Sequence, residues 1–160
     1  MEHFFHYSSP LGGISLFSDG EALTGLYFDG QRYFPDKLMP FSTEADLPVF
    51  RQTARWLDVY FSGEAPGFVP PISLHTTSFR RAVYDILLGI PFGETMTYGE
   101  IAKRIDGRMS AQAVGGAAGH NPVSLIIPCH RAVGAGGRLT GYAGGLERKA
   151  ALLKLERSKK

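Results

Sequence analysis

Cysteine is almost missing from this 160-residue chain: Cys129 stands alone. That excludes any internal disulfide and any zinc site built from several cysteines, and makes a reducing cytoplasm the expected address. Long apolar runs are lacking too, none approaching the roughly 18 residues of a membrane-spanning helix. The N-terminus, Met1-Glu2-His3-Phe4-Phe5, has an acidic second residue and no basic, apolar, small-residue progression of the kind a secretion signal needs. His3, His6, His75 and His120 have no metal-ligand spacing, so they read as structural or surface residues and no metal is expected. Internal repeats and low-complexity segments are absent. What remains is globular: hydrophobic residues are 44% and charged residues 20%, at a length that suits one domain or two small ones.

Charge of one sign is scarce in each half. Residues 1–74 carry 4 Lys/Arg against 9 Asp/Glu, and residues 75–160 carry 13 against 6. A basic half attracts a polyanion and an acidic half does not. Any nucleic-acid contact is therefore expected in the second half, although a solvated Lys/Arg surface gives the same count.

The first 30 residues read as short strands: Phe4 to Tyr7, Ile14 to Phe17 and Leu23 to Phe28. Gly12-Gly13, Asp19-Gly20 and Asp29-Gly30 supply turn chemistry between and after them. Pro35 and Pro40 mark an irregular connection. Pro48 opens a helix in which Val49, Thr53/Ala54, Leu57 and Tyr60/Phe61 recur at helical spacing before Gly63. Ala65-Pro66-Gly67-Phe68-Val69-Pro70-Pro71 is the clearest linker and coincides with the change of charge sign. The expected division is an N-terminal subdomain over 1–74 and a second domain over 75–160.

The second half reads as mainly helical. Thr77 or Ser78 can cap a helix whose Phe79, Val83, Ile86 and Leu87 form one stripe. Thr97-Tyr98-Gly99-Glu100 fits a capping box, and Asp106-Gly107 ends the short helix that follows. Ser110 can cap the next, so the pair is a helix-turn-helix candidate. Leu146, Ala150 and Leu153 predict a C-terminal amphipathic helix ending in basic residues.

The second helix of that pair, Ala111-Gln112-Ala113-Val114-Gly115-Gly116-Ala117-Ala118-Gly119, is built of small residues. Reading base edges in a major groove takes long polar side chains at several positions, and only Gln112 qualifies. Helical glycines cost about 1 kcal/mol each relative to alanine, so a close approach must compensate. Two surfaces fit: the protein itself or a narrow minor groove. Spacing alone favours packing within the protein.

Val123-Ser124-Leu125-Ile126-Ile127 is a β-favouring run expected to be buried, and Pro128-Cys129-His130-Arg131 follows it. A lone cysteine is ordinarily a small core residue. Adjacent His and Arg can stabilise a thiolate, which is a strong nucleophile toward carbon. Consecutive strand residues point to opposite faces, so His130 can serve Cys129 only through a turn or a bridging water.

Pro128-Cys129-His130-Arg131, preceded by Asn121-Pro122 and followed by Gly141-Tyr142-Ala143-Gly144-Gly145, resembles the signature of the O6-alkylguanine-DNA alkyltransferases, also called methylated-DNA–protein-cysteine methyltransferases. The resemblance runs from about Thr77 to Glu156 and includes Thr97-Tyr98-Gly99-Glu100-Ile101-Ala102 and Ala113-Val114-Gly115-Gly116-Ala117. The N-terminal half matches only in general shape. The single cysteine resembles the single-function, constitutive type. The implied fold is α+β: a small N-terminal antiparallel sheet plus helix, ribonuclease H-like, then a mostly helical domain with a winged-helix-like helix-turn-helix. The implied reaction is irreversible, single-turnover transfer of an alkyl group from O6-alkylguanine, and from O4-alkylthymine, in duplex DNA to Cys129. Minor-groove binding and base flipping precede it, since a stacked duplex hides the reacting atom. The resemblance makes His130 the base acting through water, Glu156 its orienting carboxylate, and Asn121 the brace of the turn. Tyr98 would crowd the 3′ phosphate and help to protonate the departing guanine. Tyr142 and the backbone of Ala143 would line the pocket, with Ala113 and Gly115 on the groove-facing helix. Arg80 reads equally as a phosphate contact or a surface charge. No cofactor, no membrane and no obligate protein partner are implied, and the chain is expected to be a monomer.

Two positions depart from the family pattern. Gln112 stands where most relatives carry an arginine that fills the gap left by the flipped base; glutamine is shorter and uncharged but still hydrogen-bonds. Ala143 is often serine in relatives, so only its backbone N–H remains for the developing charge. The rival readings are a non-enzymatic lesion-binding relative, in which tryptophan replaces the cysteine, and a Cys-His hydrolase, which needs an oxyanion hole.

Overall fold

The computed structural model describes residues 2–36, 42–106 and 108–158; Pro40 and Gly107 of the expected turns lie outside them. The chain forms two compact units, Met1–Leu74 with Pro122–Ser124, and His75–Asn121 with Leu125–Lys160.

In the first unit, strands β1 (Glu2–Ser9), β2 (Gly12–Ser18), β3 (Leu23–Phe28) and β4 (Ser42–Glu44) make one sheet in the order β3-β2-β1-β4. The β1/β2 and β2/β3 pairs are antiparallel, with Phe5 opposite Leu16 and Leu16 opposite Leu26, while β4 adds to β1 in parallel. The expected small antiparallel sheet is therefore present, with one parallel edge that three residues of sequence do not announce. Helix α1 (Pro48–Phe61) starts on Pro48, whose missing N–H costs nothing in the first turn. Its buried side is Val49, Phe50, Thr53, Trp56, Leu57 and Tyr60, and Phe50 stacks on Phe5 of β1 at 5.9 Å between ring centres. The central strand β2 is buried from Ile14 through Ser18. Its polar Ser15 hydroxyl is satisfied by donating to Asp29 at 2.7 Å, and the same carboxylate holds His6 at 2.6 Å. Pro122–Ser124 belongs here because Leu26 of β3 bonds it on both sides, its N–H donating to the Pro122 carbonyl (2.8 Å) and its carbonyl accepting from Ser124 (3.0 Å).

The second unit contains α2 (Ser78–Leu88), β5 (Met96–Thr97), α3 (Tyr98–Ile105), α4 (Ala111–Gly119), a 3-10 turn at Cys129–Arg131, β6 (Ala132–Val133) and α5 (Leu146–Arg157). Three of its helices begin on the side-chain caps expected from sequence. Thr77 accepts from Arg80 N–H, Ser110 accepts from Ala113 N–H, and Thr97 with Glu100 completes a capping box. The stripe of α2 is corrected: its buried residues are Val83, Tyr84 and Leu87, while Phe79 and Ile86 are half-buried. Tyr84 was outside the expected stripe and is buried because its hydroxyl finds the Ala117 carbonyl of α4 at 2.9 Å.

Two further expectations are corrected. Val123–Ile127 is buried throughout but is not a strand; Leu125 turns the chain at φ 72°. Leu146 does not face the core of its unit: it is exposed, and α5 buries Lys149, Leu152, Leu153 and Glu156 instead.

Candidate active site and nucleic-acid face

A two-residue ladder explains how distant segments meet. Met96 and Thr97 of β5 pair in parallel with Ala132 and Val133 of β6. The ladder thus ties the segment that carries the Cys129–Arg131 turn to the segment that leads into Tyr98. The turn itself is closed by Cys129 N–H donating to the Ile127 carbonyl (2.8 Å) and Arg131 N–H donating to the Pro128 carbonyl (2.9 Å). Asn121 Nδ2 donates to that same Ile127 carbonyl at 2.7 Å, which places this residue under the turn.

Cys129 is 5% exposed. Burial pushes its thiol above the ordinary value, while Asn121, the Lys149 charge and the N–H groups of Cys129 and His130 pull the other way. The resting sulfur is thus a thiol that needs a base. His130, fully buried, lies in the same 3-10 turn, and its Nε2 is 2.5 Å from Glu156 Oε2. Burial holds His130 below the ordinary imidazole value, against the pull of Glu156. The ring is therefore neutral; Nε2–H donates to the carboxylate, and Nδ1 is the nitrogen able to accept a proton.

Glu156 is also fully buried. Burial alone would raise its pKa, but the hydrogen bond from His130 and the hydrogen bonds and charge of Arg131 outweigh this and bring it down to about 2. Gly93 N–H donates to Oε1 at 2.9 Å. An isolated glutamate near a chain end is ordinarily solvated; here α5 turns it inward.

Tyr98 and Tyr142 complete the surroundings of the sulfur. Both phenols are raised by burial and then by the Cys129 charge. Tyr98 donates to the Thr140 carbonyl at 3.2 Å. The Tyr142 hydroxyl is buried and has no hydrogen-bond partner among the described residues, so it is ready for a polar group brought by a ligand. Ala143 is half-buried in the same loop.

Sequence reasoning missed Lys149, and it read Arg131 as a cation able to stabilise the thiolate, not as the partner of Glu156. Lys149 is fully buried, and its Nζ donates to the Tyr98 hydroxyl (3.1 Å), the Thr140 carbonyl (3.1 Å) and the Gly141 carbonyl (3.3 Å). Burial lowers it to about 8, with Cys129 acting in the opposite sense. The signal was available: 149, 152, 153 and 156 share one helical face when α5 is read backward from Glu156. Arg131 stands in the motif itself and forks onto Glu156, Nε to Oε1 at 2.8 Å.

Cys129, His130, Glu156, Asn121, Tyr98 and Tyr142 are thus gathered around one sulfur. Arg80, Gln112, Ala113 and Gly115 are not: Arg80 is in the first turn of α2, and the other three are on α4, with Gln112 exposed. On α4 the packing expectation is overturned. Val114, Ala117 and Ala118 make its buried side, whereas a Cβ added at Gly115, Gly116 or Gly119 would meet nothing within 4 Å. The glycines face open space, so packing within the unit does not explain them. Among the described residues, no cluster of three or more His, Cys, Asp or Glu could hold a metal, and no helix is long and apolar enough to cross a membrane.

Comparison with known proteins covers the whole chain. Residues 4–74 match the family described as 6-O-methylguanine DNA methyltransferase, ribonuclease-like domain, and residues 78–158 match 6-O-methylguanine DNA methyltransferase, DNA binding domain. The chain is 43% identical over 159 residues to a methylated-DNA–protein-cysteine methyltransferase of Mycobacterium tuberculosis, covering 99% of this chain and 94% of that protein. It is 41% identical to the protein of the same name from Haemophilus influenzae, covering 97% and 86%. The crystal structure of the Mycobacterium tuberculosis O6-methylguanine methyltransferase superposes with a TM-score of 0.89 at 44% identity, covering 100% of this chain and 95% of that one. A structure of the mycobacterial protein in complex with DNA gives 0.88 at 43% identity, covering 98% and 94%.

Proposed function

The chain belongs to the O6-methylguanine DNA methyltransferase family, and on that premise we propose that it repairs DNA by moving the alkyl group of O6-alkylguanine irreversibly onto Cys129. The observation that carries this reading is the 3-10 turn that seats the chain's one cysteine beside a neutral His130 held at 2.5 Å by Glu156. His130 accepts the thiol proton, the sulfur attacks the alkyl carbon in line, and the carbon–O6 electron pair leaves with the guanine. The departing base gains one proton, for which Tyr98 is the nearby donor. A thioether is a poor leaving group, so each molecule turns over once. By its own balance of atoms the reaction uses no cofactor. Tyr142 and the Ala143 backbone line the pocket, and Asn121 braces the turn.

Residues 75–160 form the DNA-binding and active-site domain, and residues 1–74 the N-terminal subdomain. DNA is the partner. The open glycine face of α4, with Ala113 and Gly115, enters the minor groove, where small side chains permit close approach, and Arg80 contacts phosphate. The lesion rotates out of the stack, which costs least for a damaged base. O4-alkylthymine, with an alkyl group on a similarly placed oxygen, is a second substrate. The protein acts as a cytoplasmic monomer without an obligate partner.

Intact and peptide mass measurement after incubation with an O6-methylguanine duplex tests the transfer. One methyl per molecule on Cys129, absent in Cys129→Ala, is the expected result. DNA binding with no mass gain, or repeated turnover, overturns it. Gln112 is the one long polar side chain on α4 and fills the space left by the flipped base. Gln112→Ala should therefore slow repair or weaken DNA binding; unchanged values for both remove that role.

A further inference from the structure

Arg131 ends the same 3-10 turn that carries Cys129 and His130, and its side chain is only 10% exposed. Nε donates to Glu156 Oε1 at 2.8 Å, Nη2 to Oε2 at 3.3 Å, and Nη1 to the Ile90 carbonyl at 2.7 Å. The guanidinium also lies 5.8 Å from the centre of the Phe92 ring. Each Glu156 oxygen therefore receives Arg131 and one further donor: Gly93 N–H on Oε1 and His130 Nε2 on Oε2.

The charge state of this cluster decides what His130 can do. A buried carboxylate must be compensated. With only an imidazole against it, compensation would come from a proton retained on His130. A permanently protonated imidazolium cannot take another proton from Cys129. The Arg131 guanidinium supplies the compensating charge already, so the resting cluster is neutral with a neutral ring. We propose that Arg131 is a positioning residue of the alkyl transfer, holding Glu156 as a carboxylate and so keeping His130 a neutral base toward Cys129.

The inference rests on the proposed reading in which His130 accepts the sulfur's proton. The groups facing His130 are Glu156 and Lys149 from α5, with Arg131 and Cys129 from its own turn; burial, Arg131 and Lys149 all disfavour imidazolium, and Glu156 alone favours it. In the reaction the S–H proton passes to Nδ1, directly or through a water, the S–C bond forms as the C–O6 bond breaks, and the guanine gains the proton that balances the one sulfur lost. The cluster carries one extra positive charge only during that interval.

Nitrogen NMR of His130 reads its protonation directly and independently of DNA. The unsubstituted protein should show a neutral ring at about pH 7.5, with the proton on Nε2. In Arg131→Met the ring should be imidazolium at that pH, and methyl transfer should slow about 100-fold, the scale of a lost general base, recovering as pH rises. Arg131→Lys, which keeps the charge, should retain a neutral ring and most of the rate. A neutral His130 in Arg131→Met overturns the proposal. So does an imidazolium in the unsubstituted protein, a measurement that survives if the variants fail to fold. Should Cys129 take up methyl normally while the His130 charge ignores Arg131, this inference fails alone. Absence of methyl on Cys129 means that the underlying reading has failed, whatever the ring's charge.

Discussion

Glu156→Ala should cost about 3–5 kcal/mol of folding free energy, because it strands a buried cation without its partner. The carboxylate is fully buried and receives His130 Nε2, Arg131 Nε and Nη2, and the Gly93 N–H, so truncation takes the acceptor from all four donors. Glu156→Gln separates charge from shape, since it keeps an acceptor oxygen and removes the negative charge. The acid limb of stability gives the sharper readout. The folded pKa of Glu156, about 2, lies below the 4.5 of an unperturbed carboxyl. The unfolded chain therefore binds the extra proton between those values, and stability falls with falling pH across that window. The contribution, of the order of 3 kcal/mol, is fully present above the unfolded value and is lost as pH falls through the folded one. Urea unfolding across this range should show a slope shallower by one proton in Glu156→Gln. An unchanged acid limb would mean that Glu156 is not the buried anion on which the turn depends.

What was legible in the sequence was local. Turn glycines and β-favouring runs marked β1 to β3, and the Thr77, Thr97 and Ser110 caps marked three helix starts, because each depends on neighbours within a few residues. Cys129, His130 and Glu156 were readable from the resemblance, since the motif fixes residue types in order. The misses share one physical cause: an apolar pattern reports burial but not the company a residue keeps. Val123–Ile127 is apolar and buried, yet Leu125 sits at φ 72°, a turn that hydrophobicity alone reads as a strand. On α5 the error ran the other way. Leu146 is exposed and Lys149 is buried, because three acceptors on Tyr98, Thr140 and Gly141 satisfy the ammonium. Those acceptors lie outside α5, one at the start of α3 and two in the loop that precedes α5, so nothing within α5 announces them. Tyr84 entered its core for the same kind of reason, a carbonyl on another helix.

Alanine at Gly115 or Gly116 should make the folded protein more stable by about 0.5–1 kcal/mol per site, the ordinary gain in helix propensity. Both residues lie inside α4, and neither would press a new Cβ on any atom within 4 Å. Had the glycines served packing within the unit, alanine would be destabilising. Their cost must then be offset by something the isolated chain does not contain. Leucine separates the two roles, since open space accommodates it in the free protein, whereas a backbone pressed into a narrow groove cannot. Gly116→Leu should unfold in urea at or above the unsubstituted midpoint and yet bind duplex DNA about tenfold more weakly, a loss of about 1.4 kcal/mol. Fluorescence anisotropy with an undamaged duplex is the appropriate assay, because it measures groove entry without waiting for base flipping or transfer. If Gly116→Leu bound DNA as well as the unsubstituted protein, α4 would not be the element that meets the groove. A lowered urea midpoint would instead place an unseen neighbour against this face. The combination of gained stability and lost affinity is what distinguishes a surface kept small for DNA from a helix that merely tolerates glycine.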